Sequence, residues 1–536
     1  MSTSPALATR PRAARLFLLA CAIAGCNAIF GVEPGHLAPD GGTGSGGTGG
    51  TGGTGGTGGG GGACASDGPP PEGDLLWTKW SQTAGSDIEV WANALALDPD
   101  GNVVIAGVHT GATSFGSYNL DYLGDAMVDE TDVFAARFDR ATGAVVWAKA
   151  WSAPGTQYVE ALAVDPTSGD LLITGRLEGT ISFGGEDLVS AGFRDIFLAR
   201  VTKDGDHVWS KRFGDGFDQW GINVTIDAAG DILLAAVGSG IVDFGMSSQG
   251  SMDGEGLFLA KLDASGGEIW SRFVATRFAT PLQVGLTVDP DRNIYLASAN
   301  SDINFDSSDL YRGGYDAAVV KFDPEGVYAW SRNFSGSNPM MPLNDDQWAS
   351  AIAFDPCTGD VIVTGGFESD LVFDDLEPLV NVAQVPPNPN DFGDSDIFVA
   401  RLRGSDGKAV WAKSFGDIDE QQGQSVSVDQ RANIVLSGFL LDDVDASIGI
   451  DFGGGVFPPS PDYYDDMFIV KLTSAGDHLW SERIGPEYVQ RGRSVSDPAG
   501  NVAIAGQFFI SAIIGKTPEG VLSSGGWEAF AAWFAP

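Results

Sequence analysis

The sequence predicts an all-β fold, a seven-bladed β-propeller closed by its N-terminal and C-terminal strands in one shared blade. Two observations predict it: a tryptophan recurs seven times, and each copy ends a unit of four short runs typical of strands. Neighbouring copies are separated by 60 to 81 residues. The recurring residues are Trp77, Trp147, Trp209, Trp270, Trp330, Trp411 and Trp480.

The first strand of each unit alternates small and large apolar residues and ends at an aspartate, as in residues 94–98. Both faces of such a strand suit burial, which favours a sheet packed between two neighbouring sheets. A turn such as Asp98-Pro99-Asp100-Gly101 leads to the second strand. The third strand is of the type Asp195–Val201, and the fourth carries the tryptophan. The seventh copy of the first strand, at 494–497, is one residue short.

Two lone strands remain at the ends of the repeat region. Residues 74–79 match a fourth strand, and residues 528–534 match a third strand. We expect them to complete one sheet together, which removes an open sheet edge. Deletion of residues 527–536 is therefore expected to destabilise the whole ring rather than one blade.

Charged positions also repeat. The third strand carries a basic residue in six copies, and a basic residue follows two positions after the tryptophan in six copies. We expect these charges to protect outer strands from edge pairing and to pair with the aspartates that begin the third strands. The tryptophans themselves are expected to pack between blades.

A family resemblance rests on four segments. Residues 396–401, 411–413, 425–429 and 433–438 resemble the repeats of bacterial proteins with seven-bladed β-propeller (SBBP) repeats, and more loosely those of NHL-type propellers. The resemblance covers about residues 74–536; it implies the fold and says almost nothing about activity. Residues 141–147 resemble the tryptophan motif of quinoprotein dehydrogenases, but only one or two repeats match it.

The N-terminus is typical of an export signal. Residues 1–25 contain three arginines followed by an apolar run too short to span a bilayer. The run ends at Ile23-Ala24-Gly25-Cys26, which resembles the lipobox of bacterial lipoproteins. That resemblance implies cleavage before Cys26, acylation (palmitate) at its thiol, and a membrane anchor. We expect an outer-membrane lipoprotein of a Gram-negative-type bacterium, facing the periplasm or the cell surface; the alternative is an ordinary signal peptide with an incidental cysteine.

Residues 26–73 are predicted to be a disordered tether between this anchor and the propeller at 74–536. The stretch 41–62 is nearly all glycine and threonine and has no large apolar side chain to bury. A glycine-rich coil of this length spans about 40 Å. A folded head would thus stand off the membrane.

The charge excludes one class of partner. Seventy-one acidic and 30 basic residues give a net charge of −41, which repels nucleic acid and suits an exported, soluble monomer. Cysteines are few. Outside the signal and the anchor only Cys64 and Cys357 remain, and the sequence fits a disulfide between them or two free thiols equally well.

The candidate ligand face is formed by the loops between second and third strands and between successive units. Four residues before the first large apolar residue of the first strand, four of seven units carry an aromatic residue: Trp91, Tyr158, Trp220 and Trp348. Such side chains can stack on sugar rings or aromatic groups; the alternative is that they cap the core between blades. The longest loops add Asp345, Asp346, Tyr463 and Tyr464.

Motifs for catalysis are absent from the sequence. It has four histidines and no HExxH, GxSxG, CxxC or P-loop pattern, so we expect no enzyme activity, no metal centre and no cofactor. Ca²⁺ binding by the acidic loops is the alternative for metal. The favoured function is a non-catalytic, membrane-tethered binding module for protein or glycan. The alternative is a polysaccharide hydrolase or lyase that uses loop carboxylates.

Overall fold

The computed structural model describes residues 73–536 except 84, 86, 124–129, 276–283, 301–314, 337–345, 383–394, 442–448, 460–463, 486–489 and 516–520, with backbone only at 253, 275, 300 and 521–525. The described part is all-β: it contains 36 strands and no helix. No apolar helix of bilayer-crossing length occurs in it. The predicted signal peptide, Cys26 and Cys64 lie outside the described residues.

The strands are numbered in chain order. The first eighteen are β1 (Leu75–Trp80), β2 (Gln82–Thr83), β3 (Val90–Leu97), β4 (Val103–His109), β5 (Thr113–Phe115), β6 (Tyr118–Leu120), β7 (Asp132–Phe138), β8 (Val145–Trp151), β9 (Gly155–Val164), β10 (Leu171–Ile181), β11 (Leu188–Val189), β12 (Asp195–Val201), β13 (His207–Phe213), β14 (Gln219–Ile226), β15 (Ile232–Asp243), β16 (Ser248–Leu262), β17 (Glu268–Ala275) and β18 (Val284–Val288). The others are β19 (Ile294–Asn300), β20 (Asp316–Phe322), β21 (Tyr328–Phe334), β22 (Gln347–Phe354), β23 (Val361–Phe367), β24 (Asp370–Leu371), β25 (Leu379–Val380), β26 (Asp396–Leu402), β27 (Ala409–Phe415), β28 (Glu420–Val428), β29 (Ile434–Leu441), β30 (Ile450–Asp451), β31 (Val456–Phe457), β32 (Asp465–Leu472), β33 (His478–Ile484), β34 (Gln490–Ser496), β35 (Val502–Ala512) and β36 (Val521–Phe534).

Across the described residues, seven antiparallel sheets share a run of four strands. Their orders are β3-β4-β7-β8, β9-β10-β12-β13, β14-β15-β16-β17, β18-β19-β20-β21, β22-β23-β26-β27, β28-β29-β32-β33 and β34-β35-β36-β1. The seventh sheet holds both ends of the repeat region, because β1 pairs antiparallel with β36 and sets Thr78 opposite Ala532. Short strands β2, β5, β6, β11, β24, β25, β30 and β31 make small additional pairings.

The sheets pack face to face through their first strands. Each first strand contacts that of the next sheet, in the order β3, β9, β14, β18, β22, β28, β34, and β34 contacts β3. The core lies between neighbouring sheets; one cluster combines Val104 and Ala135 with Leu162 and Phe197. All residues of β3 except Trp91 are buried, which confirms that both faces of a first strand suit burial.

The short seventh copy reverses the direction of its side chains. Because side chains alternate with period two, loss of one residue turns the remaining ones to the opposite face. In β34, Val495 joins the core shared with Leu95 of β3, while Ser494 and Ser496 face β28. The hydroxyls of Ser427 and Ser496 lie 3.0 Å apart, and the Ser496 N–H donates to Ser427 Oγ at 2.9 Å. A buried seam of small polar residues therefore joins the sixth and seventh sheets.

The repeated tryptophans link each sheet to the next. Six indole N–H groups donate to a carbonyl oxygen of the turn between third and fourth strands in the following sheet, as Trp147 does to Lys203 at 2.8 Å. Trp480 faces the chain ends instead, and in the described part its buried Nε1 has no partner. Its ring lies against Gly73, where φ is +65° and a Cβ would fall 2.5 Å from the indole. Only glycine fits this position.

The expectation for the basic residues of the third strand is wrong. They are buried and pair with the aspartate that ends the first strand of the same sheet, not with the aspartate that begins the third: Lys261 Nζ lies 2.7 Å from Asp227, and Lys471 Nζ lies 3.3 Å from Asp429. The third strand lies between the second and fourth and has no edge to protect. A buried charge requires a partner, and the turn aspartate supplies one.

Candidate functional site

A β-bulge at the start of the first strands positions the candidate site. In five sheets one residue is skipped in the pairing between first and second strands; these residues are Asn93, Glu160, Ile222, Ser350 and Gln424. β34 pairs without a bulge and sets Arg493 opposite Ala505. Bulges redirect a side chain relative to the regular pleat. The first strands are thus able to place polar groups among otherwise apolar neighbours.

Three of these redirected positions meet where β34, β3 and β9 adjoin. Arg493 Nε donates to the Asn93 carbonyl oxygen at 2.7 Å, and Asn93 Nδ2 donates to the Val159 carbonyl oxygen at 3.0 Å. The Glu160 carboxyl lies 3.7 Å from the Arg176 guanidinium of β10. The two side chains retain 8% and 16% of their exposure, so this edge of the site still reaches solvent.

Aromatic rings surround these charges. The rings of Trp91 and Tyr158 are 5.9 Å apart, and Trp527 of β36 meets Trp91 edge-on at 6.5 Å. The Arg176 guanidinium lies over the Tyr158 ring, 4.4 Å from its centroid. We call Trp91, Asn93, Tyr158, Glu160, Arg176, Arg493 and Trp527 the arginine–aromatic cluster. It draws on the first, second and seventh sheets.

Burial decides the protonation of Glu160. Desolvation raises the pKa of this carboxyl to about 7, although the positive charges of Arg176 and Arg493 act in the opposite direction. The group therefore changes charge near neutral pH. A carboxyl that does so beside two arginines leaves the cluster with one or two excess positive charges, in a chain whose net charge is −41.

The cluster also contains an indole donor without an acceptor. Trp91 Nε1 is buried and has no hydrogen-bond partner in the described ranges. An unpaired buried donor costs free energy, about 1–3 kcal/mol, which an incoming acceptor would recover. By contrast, the nearby Arg491 is already paired, with its Nε 2.6 Å from Asp465 and its guanidinium over Phe439.

The aromatic residues predicted from the repeat are not all brought together. Trp91 and Tyr158 touch. Trp220 packs against the core cluster that contains Leu233. The ring of Trp348 lies over Gly366 on the neighbouring strand, where a Cβ would fall 2.5 Å away. Sequence reasoning missed Glu160, Arg176, Arg493 and Trp527, although a lone acidic residue within an apolar first strand was a usable signal.

The predicted loop residues lie apart from the cluster. Asp346 accepts a hydrogen bond from the Tyr315 backbone N–H at 2.8 Å, and Tyr464 is 44% exposed. Asp345 and Tyr463 lie outside the described residues. Cys357 is disulfide-bonded, and its partner also lies outside them, so the pairing with Cys64 stays a prediction.

Metal ligation was searched over the described residues alone. There, no three His, Cys, Asp or Glu side chains converge in a way that could hold a metal ion. Binding of Ca²⁺ by the acidic loops stays a prediction.

Comparison with known proteins gives limited information. No protein-family model matches the chain. An uncharacterised WD repeat-containing protein of Acanthamoeba polyphaga mimivirus is 29% identical over 120 residues, which are 20% of this chain and 9% of that protein. The chain thus matches less than a tenth of that relative's length.

Solved structures resemble the chain only weakly. Sqt1 of Chaetomium thermophilum has a TM-score of 0.38 at 12% identity, over 85% of this chain and 86% of its own. The quinohemoprotein alcohol dehydrogenase of Comamonas testosteroni has a TM-score of 0.36 at 10% identity, over 86% and 76%. A gluconolactonase of Xanthomonas campestris has a TM-score of 0.28 at 12% identity, over 69% and 90%. At these TM-scores the likenesses carry no conclusion; the repeated four-stranded sheets and the WD-repeat relative describe the chain, at the level of fold, as a β-propeller repeat protein.

Proposed function

We propose that this chain is a seven-bladed propeller ring that binds a glycan or protein ligand without catalysis. The cyclic contacts of the first strands, which return from β34 to β3, support the blade count and the closure. Pairing of β1 with β36 would latch the ring. In the same proposal, acylated Cys26 and the glycine-rich tether hold the ring at an outer membrane, facing the periplasm or the cell surface.

One observation carries the binding role: charged, aromatic and unpaired donor groups converge in the arginine–aromatic cluster rather than being spread along the sheets. Trp91, Tyr158 and Trp527 give the apolar ring surface on which a ligand can stack. The cluster lies at the start of the first strands, where the connections from the preceding sheets enter. Sites of this kind combine a mostly apolar lining with a few placed polar groups.

A glycan array and a protein pull-down with the purified chain test this proposal. Trp91→Ala should abolish binding, while Trp220→Ala, a matched tryptophan of the same repeat position outside the cluster, should retain it. Unchanged melting curves would show that Trp91→Ala folds. Binding that Trp91→Ala leaves intact would contradict the proposal, as would release of a cleaved product.

A second candidate function is a hydrolase or lyase of polysaccharide. It is favoured by Glu160 alone, because burial raises its pKa to about 7, which suits a general acid near neutral pH. Such an enzyme would release product from a polysaccharide library, and Glu160→Gln would stop the release. If no product forms while Trp91-dependent binding is present, the non-catalytic proposal stands.

A further inference from the structure

The arginine–aromatic cluster has more positive charge than its own carboxyl neutralises. Arg176 and Arg493 both act on the charge of Glu160, and no other charged group has a comparable effect on it among the described residues. On β3 the equivalent position is the neutral Asn93, and on β14 it is the apolar Ile222. When Glu160 is protonated, both arginines lack a neutralising anion within the cluster.

We propose that the cluster binds the carboxylate of an acidic sugar, and that it does so when Glu160 is protonated. This deepens the proposed function and rests on it. A ligand carboxylate would supply the negative charge that protonated Glu160 no longer supplies, and an acceptor for Trp91 Nε1. Arginine is suited to this task because its planar guanidinium donates in pairs to carboxylate oxygens.

The aromatic rings indicate a sugar rather than a bare anion. A pyranose ring presents C–H faces to aromatic rings and hydroxyls to polar neighbours, which matches Trp91 and Trp527 around the polar group of Asn93. Both indoles are only partly buried, so their rings are not wholly occupied by the protein's own core. The net charge of −41 repels long polyanions, which favours a ligand with few carboxylates.

Glu160 then acts as a switch for binding. Ionised Glu160 lies 3.7 Å from Arg176 and both competes for the guanidinium and repels a second carboxylate. Protonated Glu160 removes that repulsion and gains an O–H that donates to the ligand. If only the protonated form binds, a group titrating near pH 7 gives an affinity about tenfold higher at pH 6 than at pH 8.

Calorimetry with trigalacturonate tests the inference, with the fully methyl-esterified trisaccharide as the neutral probe. The wild-type chain should bind trigalacturonate about tenfold more tightly at pH 6 than at pH 8, and the ester at least tenfold more weakly than the acid at pH 6. Titrations in two buffers of different ionisation enthalpy should show net proton uptake on binding at pH 7. A pH-independent affinity without proton uptake would overturn the switch.

Three variants separate the roles of the residues. Glu160→Gln should bind trigalacturonate tightly at both pH values and take up no proton. Glu178→Gln, an exposed glutamate on β10, should behave as the wild type. Arg176→Met keeps the aliphatic packing on Tyr158 and should lose at least tenfold in affinity. A Glu160→Gln variant that keeps the pH dependence would show that another group controls binding.

Two outcomes distinguish this inference from the broader proposal. If trigalacturonate fails to bind at millimolar concentration while the array gives Trp91-dependent binding to another ligand, the inference is wrong and the proposed function stands. If an N-acetylated tripeptide with a free C-terminal carboxylate binds more tightly than trigalacturonate, the assignment to a sugar is wrong. If neither the array nor trigalacturonate shows binding, both fail.

Discussion

Replacement of Glu160 by glutamine should remove a large part of the pH dependence of stability. The carboxyl has a pKa near its model value of 4.5 when unfolded and about 7 when folded. A folded pKa above the unfolded one means that the native state binds more protons in this range. The stabilisation is complete below pH 4.5 and is lost as the pH rises through about 7.

The magnitude follows from the two pKa values. Each unit of difference corresponds to about 1.4 kcal/mol, so ionisation of Glu160 should lower the free energy of unfolding by about 2–3 kcal/mol between pH 5 and pH 8. Glutamine has the shape of the protonated carboxyl and no charge to desolvate. The Glu160→Gln variant should therefore gain about 2–3 kcal/mol relative to the wild type over the same interval.

Guanidinium titrations at pH 5, 6, 7 and 8 measure this difference, with intrinsic fluorescence and circular dichroism as independent probes. The control is Glu178→Gln, whose side chain is 56% exposed and whose difference from the wild type should stay constant with pH. The reasoning is refuted if the Glu160→Gln difference is also constant. A carbon-13 titration of the Glu160 carboxyl would then be expected near its ordinary range.

Three further predictions concern the packing. Deletion of residues 527–536 should lower the stability of the whole ring, seen as one earlier melting transition; an unchanged curve would argue against the latch. Ser427→Ala leaves the buried Ser496 N–H without its acceptor and should cost about 1–3 kcal/mol in chemical unfolding, whereas no loss would mean that the seam relaxes. Non-reducing peptide mapping should recover Cys64 joined to Cys357; a map with Cys64 free would exclude that pairing.

The repeat unit could be derived from the residues because its signals are local. The alternation in the first strand, the aspartate turn and the tryptophan predict four strands per unit, and the seven main sheets have that pattern. The partner of the third-strand base was mispredicted because it depends on where a strand lies within its sheet. Lys261 has the same residue type whether it protects an edge or pairs with Asp227 in the interior.

The candidate site could be predicted only in part. The repeat position of Trp91 and Tyr158 indicated that aromatic residues gather at the start of the first strands, and these two touch. The contact of Arg493 with Asn93 joins residues 400 positions apart, which no local pattern reveals. The bulge that turns Glu160 out of the pleat adds one residue to the strand, and its direction is decided by the packing of three sheets.

Closure of the ring by the sheet that holds both chain ends is tested most directly by amide hydrogen exchange along β36. If β1 pairs with it in solution, the amides of residues 530–534 that point to β1 should exchange as slowly as those of the interior strand β35. Rapid exchange of these amides, beside continued protection in β35, would show that β36 is an open edge and that the chain ends are not joined.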